Sequence, residues 1–234
     1  MGGLFVTGTD TEIGKTFVST GIVSTLVTEG FKVAGMKPIG TGGTRDPKQK
    51  EILNEDAGLL MSAANLPLSR GDLNLYSYLP PTSPHIAASE ADELIDLNKI
   101  CQAYRKIDHL CDYVIVEGVG GWMVPLNETD NVENLAIELG LPILLVVGVK
   151  LGCINHALLT RDALVRSGVT VAGWVANMLE PDLYAKEKVV RTIEETIEFP
   201  YWGEIPFYSQ DKNPTLPPMV TSNLMRYLSS RTKT

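Results

Sequence analysis

Six apolar runs recur along the 234-residue chain and predict the strands of a buried sheet. The runs YVIVEG and PILLVVGV are rich in β-branched residues and show no alternation of apolar and polar positions. Such runs are typical of central strands that are covered on both faces. The predicted strands lie near residues 3–7, 32–37, 112–117, 142–148, 171–176 and 201–204.

Helical segments separate these runs. The predicted helices lie near residues 15–29, 50–63, 97–109, 131–139, 154–167, 182–197 and 220–229. Two stretches rich in glycine, proline and polar residues, 40–50 and 209–218, are predicted loops. This alternation predicts an α/β fold in which a mostly parallel central sheet is flanked by helices on both faces. No internal repeat or change in composition divides the chain, so residues 1–234 are expected to form a single domain.

Composition and charge narrow the possible functions. Hydrophobic residues make up 44% and charged residues 21%, as in ordinary globular proteins. The formal charge of −8 argues against a general nucleic-acid or anionic-membrane surface, and no apolar run is as long as a membrane span. The three cysteines, Cys101, Cys111 and Cys153, show no metal-type spacing, and no signal peptide is expected before the first strand. A reduced, cytoplasmic compartment is therefore expected.

The stretch GLFVTGTDTEIGKTF follows the pattern of a phosphate-binding loop with one departure. The usual pattern is a glycine, four residues and then Gly-Lys-Ser/Thr. Here Thr9 stands where that glycine is expected, and the glycine comes one residue earlier, at Gly8. The longer loop also carries two carboxylates, Asp10 and Glu12, which is unexpected for a loop that holds polyphosphate.

The loop lies between a predicted strand and a predicted helix, which is the context that the motif requires. Backbone N–H groups near Glu12–Thr16, together with the positive end of the helix dipole, are expected to cradle phosphates. Lys15 would neutralise the β- and γ-phosphates, and the Thr16 hydroxyl would hold Mg²⁺. The motif therefore predicts an enzyme of the P-loop NTPase type.

Other charged residues fall at strand ends. Lys37 and Lys150 end the second and fourth strands, and with Lys15 they would place three ammonium groups around a transferring phosphoryl group. Glu117 ends YVIVE, where such folds place a metal carboxylate. Asp56 is compatible with a second metal ligand or with a solvated helix residue, and its position alone leaves both open.

Three further positions could contact a ligand. Ser83 is an expected N-cap with Pro84 at the first helical position, and this start suits either a plain capped helix or an anion site. Gly152 would let the backbone approach a ligand before another helix start. Asn177 ends a strand and has an amide that could read a purine edge. His156 has no evident partner and is expected to be structural.

The sequence resembles the dethiobiotin synthetase family, on motifs that run from residue 5 to residue 177, with GEIPF extending the match to 207. The motifs are FVTGTDTEIGKT, GMKPIGTG, PTSPHIAA, VEGVGGW, VVGVKLGCINHALLT and AGWVAN. The resemblance implies that CO₂ or bicarbonate, ATP with Mg²⁺, and 7,8-diaminopelargonate give dethiobiotin, ADP and phosphate. It also implies a homodimer with shared active sites, in which the carboxylate of the substrate meets the helix start of a neighbouring subunit.

Carried over motif by motif, the resemblance implies the following site residues. The catalytic lysines are Lys15, Lys37 and Lys150, and the metal ligands are Thr16, Asp56 and Glu117. The substrate contacts are Thr11, Glu12, Lys37, Thr41, Leu151, Gly152, Cys153 and Asn155. The ATP contacts are Gly8, Thr9, Glu12, Ile13, Gly14, Lys15, Thr16, Phe17, Asp56, Glu117, Gly118, Val119, Gly120, Asn177, Pro206, Phe207 and Tyr208. Family members can carry a serine at the position of Thr41, which keeps the hydroxyl.

A diamine substrate offers an explanation for the unusual loop. The side chains of Thr11 and Glu12 would face the cationic diamine while their N–H groups face phosphate. Under this hypothesis the extra residue widens the loop so that it serves both ligands.

Two other functions are compatible with a phosphate loop in this position. Partitioning-type P-loop ATPases usually carry KGGxGKT, and here the first lysine of that motif is absent. Amide-forming ligases that act on corrinoids are commonly longer because they include a glutamine-hydrolysing domain, for which this chain has no sequence left. ATP turnover that requires both the diamine and bicarbonate would separate the three functions.

Overall fold

The six predicted apolar runs form one parallel sheet in the computed structural model, which describes residues 2–46, 51–207 and 215–231. The strands are β1 (Gly2–Gly8), β2 (Val33–Met36), β3 (Ile39–Gly40), β4 (Thr44–Arg45), β5 (Ile52–Leu53), β6 (Tyr76–Ser77), β7 (Tyr113–Glu117), β8 (Ile143–Val149), β9 (Val171–Met178) and β10 (Tyr201–Ile205). The strand order in the main sheet is β10-β9-β8-β1-β7-β2. The strand prediction is confirmed.

The helices pack against both faces of this sheet. They are α1 (Lys15–Thr28), α2 (Glu55–Ala63), α3 (Arg70–Leu73), α4 (Pro84–Glu90), α5 (Leu97–Asp108), α6 (Val132–Leu139), α7 (Cys153–Ser167), α8 (Lys186–Ile197) and α9 (Pro218–Arg231). Within the described ranges, no helix combines the length and apolarity needed to cross a bilayer.

Two apolar clusters, one on each face, hold these layers together. Successive residues of a strand point to opposite faces, so Leu4 and Val6 join the cluster under α1 and α9, while Phe5 joins the cluster under α5–α8. The central strands therefore need apolar residues at every position, which explains their lack of alternation. The predicted α/β fold is confirmed.

Several predicted boundaries are wrong. The helix predicted at 50–63 begins at Glu55, because the Asn54 side chain accepts the Ala57 N–H and caps it there. Residues 52–53, predicted as helix, instead pair with residues 44–45 of the predicted glycine-rich loop as a short antiparallel ladder. Residues 47–50 lie outside the described ranges.

The later predicted helices also shift. The helix predicted at 182–197 begins at Lys186, because Ala185 has a φ of 54°, a left-handed conformation that lies outside the helix. The last helix is longer than predicted and spans Pro218–Arg231. Most of the predicted loop at 209–218 lies outside the described ranges, which omit 208–214.

Candidate active site

The carboxyl ends of β1, β7 and β8 meet at one edge of the sheet, and the phosphate loop lies there. Gly8 closes β1, and α1 begins at Lys15 after Gly14, which has a φ of 86°. No side chain caps α1, so its first N–H groups are available to a ligand.

Apolar and polar contacts both anchor the loop. The Ile13 side chain is fully buried and packs over Gly148, where a Cβ would lie only 2.5 Å from Ile13 Cγ2. The Asn177 amide, at the end of β9, donates to the Ile13 carbonyl at 2.8 Å. Asn177 therefore positions the loop.

Asp10 is held by groups of the protein itself. Its Oδ1 accepts the Thr11 N–H at 2.8 Å, and its Oδ2 accepts from Lys150 Nζ at 3.1 Å. Although partial burial opposes the shift, these bonds and the Lys150 charge hold the pKa of Asp10 below its usual value. His156 Nδ1 lies 3.8 Å from the same carboxylate, so the expectation that His156 has no partner is wrong.

Lys15 is buried at the base of the loop, with 7% of its surface exposed. Its Nζ donates to the Asp10 carbonyl at 2.8 Å. Burial, together with the nearby charge of Lys37, lowers the pKa of Lys15 to about 8. A bound polyphosphate would restore the favourable surroundings that this buried ammonium lacks.

Lys37 and Glu117 form a buried ion pair beside the loop. They lie side by side at the carboxyl ends of neighbouring strands, since Met36 pairs with Val116 in the β2–β7 register. Lys37 Nζ donates to Glu117 Oε1 at 2.6 Å and to the Gly118 carbonyl at 2.8 Å. The two residues are 3% and 1% exposed, so each charge depends on the other for its stability.

The predicted metal ligands gather around this pair. The Thr16 hydroxyl donates to Glu117 Oε1 at 2.9 Å, and Asp56 Oδ2 lies 3.6 Å from Lys37 Nζ. Glu117 Oε2 is buried and has no hydrogen-bond partner. Among the described residues no group of three or more His, Cys, Asp or Glu side chains could hold a metal. Two carboxylates and a hydroxyl suit Mg²⁺, which keeps several waters and binds phosphate oxygens.

A cavity of about 820 Å³ joins the loop to these charges. It brings together predicted site residues from distant parts of the sequence, and it is also lined by a wall that the list of site residues missed. The predicted residues that line it are Thr11, Glu12, Ile13, Gly14, Lys15, Thr16, Lys37, Thr41, Asp56, Glu117, Val119 and Gly120. The additional ones are Gly42, Pro81, Thr82, Ser83, Pro84 and Val124.

The missed wall is formed by the turn before α4. In the stretch PPTSPHIAA the sequence indicates a possible ligand contact only at the helix start, Ser83–Pro84. The predicted N-cap bond from Ser83 is absent, because the Ser83 Oγ hydrogen bonds to His85 Nδ1 at 3.0 Å. Backbone bonds from Gly42 to Pro80 and from Gly43 to Tyr78 hold this turn against the loop after β3.

Other predicted residues lie outside the cavity lining. Gly8 and Thr9 form the start of the loop, Gly118 accepts from Lys37, and Phe17 packs against the apolar cluster under α1. Pro206 and Phe207 are exposed and follow β10, next to Asn177 in the β9–β10 register. Tyr208 is outside the described residues.

The start of α7 also lies apart from the cavity of its own chain. Gly152 has a φ of 90°, Cys153 is buried, and Leu151 is 90% exposed. Asn155 is exposed on the first turn. Lys150, just before this segment, and His156, within α7, both contact Asp10 of the phosphate loop.

A second depression of about 830 Å³ lies between α4, the start of α5 and the turn at 126–130. Its lining includes the acidic residues Asp92, Glu93, Asp96, Glu128 and Asp130. It contains neither the phosphate loop nor the buried lysines, so the chemistry points to the cavity at the phosphate loop.

Comparisons with known proteins show which proteins the chain is similar to. Residues 2–215 match the family described as "AAA domain". The chain is 38% identical to ATP-dependent dethiobiotin synthetase BioD 1 of Escherichia coli O157:H7, over 88% of this chain and 91% of that protein. It is 42% identical to the BioD protein of Aeromonas hydrophila subsp. hydrophila, over 87% and 89%.

Solved structures show a related fold at low identity. The cell division protein MinD of Aquifex aeolicus is 15% identical with a TM-score of 0.58, covering 100% of this chain and 98% of that one. A MinD of Pyrococcus horikoshii, in complex with Mg-ADP, is 13% identical with a TM-score of 0.54, covering 99% and 96%. These likenesses show the P-loop fold alone.

Proposed function

The chain belongs to the family of ATP-dependent dethiobiotin synthetases, and we propose how its residues divide the work of that reaction. The enzyme joins CO₂ to 7,8-diaminopelargonate and closes the ureido ring of dethiobiotin, with conversion of ATP to ADP and phosphate, in biotin biosynthesis. The observation that carries the proposal is the single cavity that joins an uncapped helix start, two buried lysines and a buried carboxylate.

ATP lies along the phosphate loop in this proposal. The first N–H groups of α1 and Lys15 receive its phosphates. The base extends toward Asn177, Pro206 and Phe207, at the neighbouring ends of β9 and β10. The remaining Asn177 N–H and its carbonyl are available to a purine, because Ile13 uses one donor.

Mg²⁺ would be held by Thr16, Asp56 and Glu117. The unpartnered, buried Glu117 Oε2 and the half-exposed Asp56 supply hard oxygen ligands beside the phosphate site. When bound, the ion would neutralise negative charge on phosphate oxygens during transfer.

The diamine occupies the other half of the cavity, against Thr11, Glu12 and Thr41. Glu12 is exposed to the cavity and has a φ of 57°, a left-handed conformation that is uncommon for a non-glycine residue. Its carboxylate would bind an ammonium group of the substrate beside the phosphate loop. In this proposal the extra loop residue widens the loop so that it serves both the diamine and ATP.

The reaction then proceeds by two nucleophilic steps on carbon with one phosphoryl transfer between them. An amine nitrogen attacks CO₂ and loses a proton, which gives a carbamate. A carbamate oxygen attacks the γ-phosphorus, and the bond to ADP breaks. The second amine attacks the carbonyl carbon of this mixed anhydride, loses a proton and expels phosphate. The protein mainly holds the reactants in line, while Lys15, Lys37 and Lys150 stabilise charge on the phosphoryl group.

The site is completed by a second subunit in this proposal. The start of α7 has no side-chain cap after Gly152, and none of residues 151–155 lines the cavity of its own chain. In a homodimer it would meet the substrate carboxylate at the neighbouring site. The chain acts as one ligase domain in the cytoplasm, in keeping with its three free, buried cysteines.

The test is the dependence of ATP turnover on both other substrates. With purified protein, phosphate release should require diaminopelargonate and bicarbonate together, and labelled bicarbonate carbon should appear in dethiobiotin. Hydrolysis that continues without the diamine would favour a switch ATPase and contradict the assignment.

A further inference from the structure

Asp10 is a charged residue of the phosphate loop that the proposed reaction does not use. Neither the ATP contacts nor the diamine contacts include it. A carboxylate beside a polyphosphate is unfavourable unless a cation neutralises it. Its presence in the loop therefore calls for a partner that benefits from it.

The surroundings of Asp10 show which partner that is. Both of its side-chain oxygens are occupied, Oδ1 by the Thr11 N–H and Oδ2 by Lys150 Nζ. Thr11 and Glu12 line the cavity, whereas Asp10 is not among the residues that line it. The Asp10 carboxylate is thus engaged by the protein's own groups, Thr11 and the lysine that follows β8, and is not assigned to the diamine.

Two lysines meet at this residue. The Asp10 carbonyl accepts from Lys15 Nζ at 2.8 Å, while its carboxylate accepts from Lys150 Nζ at 3.1 Å. Lys15 is buried and fixed by its surroundings, but the Lys150 side chain is 36% exposed on a long flexible stem. Without a partner, such a side chain would spread over many rotamers in solvent.

We propose that Asp10 is a positioning residue for phosphoryl transfer, which holds the Lys150 ammonium beside Lys15 at the phosphate loop. The inference rests on the proposed role of Lys150 at the reacting centre. It explains why the loop carries a second carboxylate: Glu12 is assigned to the substrate, and Asp10 to the protein's own cation.

His156 is the other group that faces this carboxylate, at 3.8 Å from α7. Its distance is longer than that of a hydrogen bond, and the residue is exposed. Asp10 therefore acts through Lys150 in this account, and His156→Gln should leave kcat close to that of the wild type.

A double-mutant cycle between Asp10→Asn and Lys150→Met tests the proposal. Asparagine keeps an oxygen that can accept the Thr11 N–H, so the turn survives while the charge on Lys150's partner is lost. Asp10→Asn should lower kcat about fivefold, because a half-exposed ion pair contributes only a small free energy, of the size that a fivefold change in rate represents. The KM values for ATP and diamine should change less than kcat. Lys150→Met should lower kcat about 100-fold, as for other charge-stabilising groups.

The decisive variant is the double one. In the Lys150→Met background, Asp10→Asn should leave kcat unchanged or raise it, because a carboxylate without its lysine only repels polyphosphate. A second fivefold loss in that background would overturn the proposal, since Asp10 would then act independently of Lys150. So would an Asp10→Asn enzyme with wild-type kcat.

The controls separate folding and the wider proposal from this inference. Asp162→Asn removes an equal charge from an exposed pair with Arg161 and should leave kcat unchanged. Asp10→Ser, which also keeps an oxygen for the turn, should reproduce the kcat of Asp10→Asn with an unfolding midpoint near that of Asp162→Asn. A fully active Lys150→Met enzyme would instead disprove the proposed role of Lys150 and, with it, the basis of the inference.

Discussion

The phosphate loop and the start of α7 share one local geometry but differ in their surroundings. Each follows a central strand, each places a left-handed glycine before the helix, Gly14 at 86° and Gly152 at 90°, and neither helix has a side-chain cap. Both therefore present free N–H groups to an anion.

Their packing differs sharply. A Cβ on Gly14 would lie 2.1 Å from Asn177 Nδ2, while one on Gly152 would meet nothing within 4 Å. The loop residue Ile13 is fully buried, and Leu151 is 90% exposed. One helix start is walled in by its own chain, and the other is open. An anion site that excludes water needs walls, so the open helix start is the one expected to need a second subunit.

The largest expected effect comes from combining a defect at each helix start. Lys15→Ala spoils the phosphate loop, and Asn155→Asp places a negative charge on the exposed first turn of α7, where the substrate carboxylate should bind. The activity of each homodimer should be about 100-fold or more below that of the wild type. When subunits exchange by co-expression, about half of the dimers are mixed, each with one intact site of two, so roughly a quarter of wild-type activity should return.

The outcome decides between shared and separate sites. If each site were built within one chain, every chain would carry a defect and mixing would restore nothing. Heterodimers confirmed by differential tagging but without recovered activity would disprove the shared site.

A second test asks whether Lys37, in the enclosed cavity at the phosphate loop, acts on the transition state. Lys37 is held by Glu117 and the Gly118 carbonyl on the cavity wall. Lys37→Gln should lower kcat about 100-fold while ATP affinity changes far less, because the charge is needed most when phosphoryl transfer occurs. The checks are steady-state kinetics and calorimetric ATP binding. Equal losses in kcat and ATP affinity would make Lys37 a simple binding residue.

Burial also determines which parts of the structure the sequence could predict. The main strands could be predicted because a strand buried on both faces must be an apolar run, as in β8. Lys37 and Glu117 could be predicted to meet because both follow parallel strands at one sheet edge. The short β3–β6 and β4–β5 pairs could not, since each has two residues per strand and depends on tertiary contacts.

The Asp10–Lys150 pair shows a further limit. The two residues are 140 positions apart and meet because β1 and β8 are neighbours in the sheet. Sequence alone gives the strands but leaves their order open, so the carboxylate was not assigned to this lysine. The wall at Pro81–Ser83 was missed for a similar reason, because backbone bonds to the loop after β3 bring it to the cavity.

A third test replaces each of the two glycines, Gly14 and Gly152, with alanine. Alanine at either position adopts an unfavourable left-handed conformation, which costs about 1–2 kcal/mol. Gly14→Ala also displaces the Asn177 amide and with it the Ile13 carbonyl, so ATP affinity should fall at least about tenfold. Gly152→Ala should lower the free energy of unfolding by the strain alone and leave ATP affinity near that of the wild type. Equal losses of ATP affinity would show that the two helix starts do not differ as described.

The smallest expected effect concerns the two lysines that meet at Asp10, because Lys15 is buried and Lys150 is 36% exposed. Burial and the charge of Lys37 lower the pKa of Lys15 to about 8 in the free protein. Below that pH Lys15 is already an ammonium, the form that polyphosphate favours. Above that pH Lys15 is mostly neutral, so ATP binding must be accompanied by the uptake of a proton. ATP affinity should therefore fall about threefold from about pH 7.5 to about pH 8.5, with proton uptake visible by calorimetry in buffers of different ionisation enthalpy. Lys150→Gln should keep this pH dependence and Lys15→Met should lose it. Affinity that stays constant or rises over this range would contradict the assignment of a buried, phosphate-binding lysine to position 15.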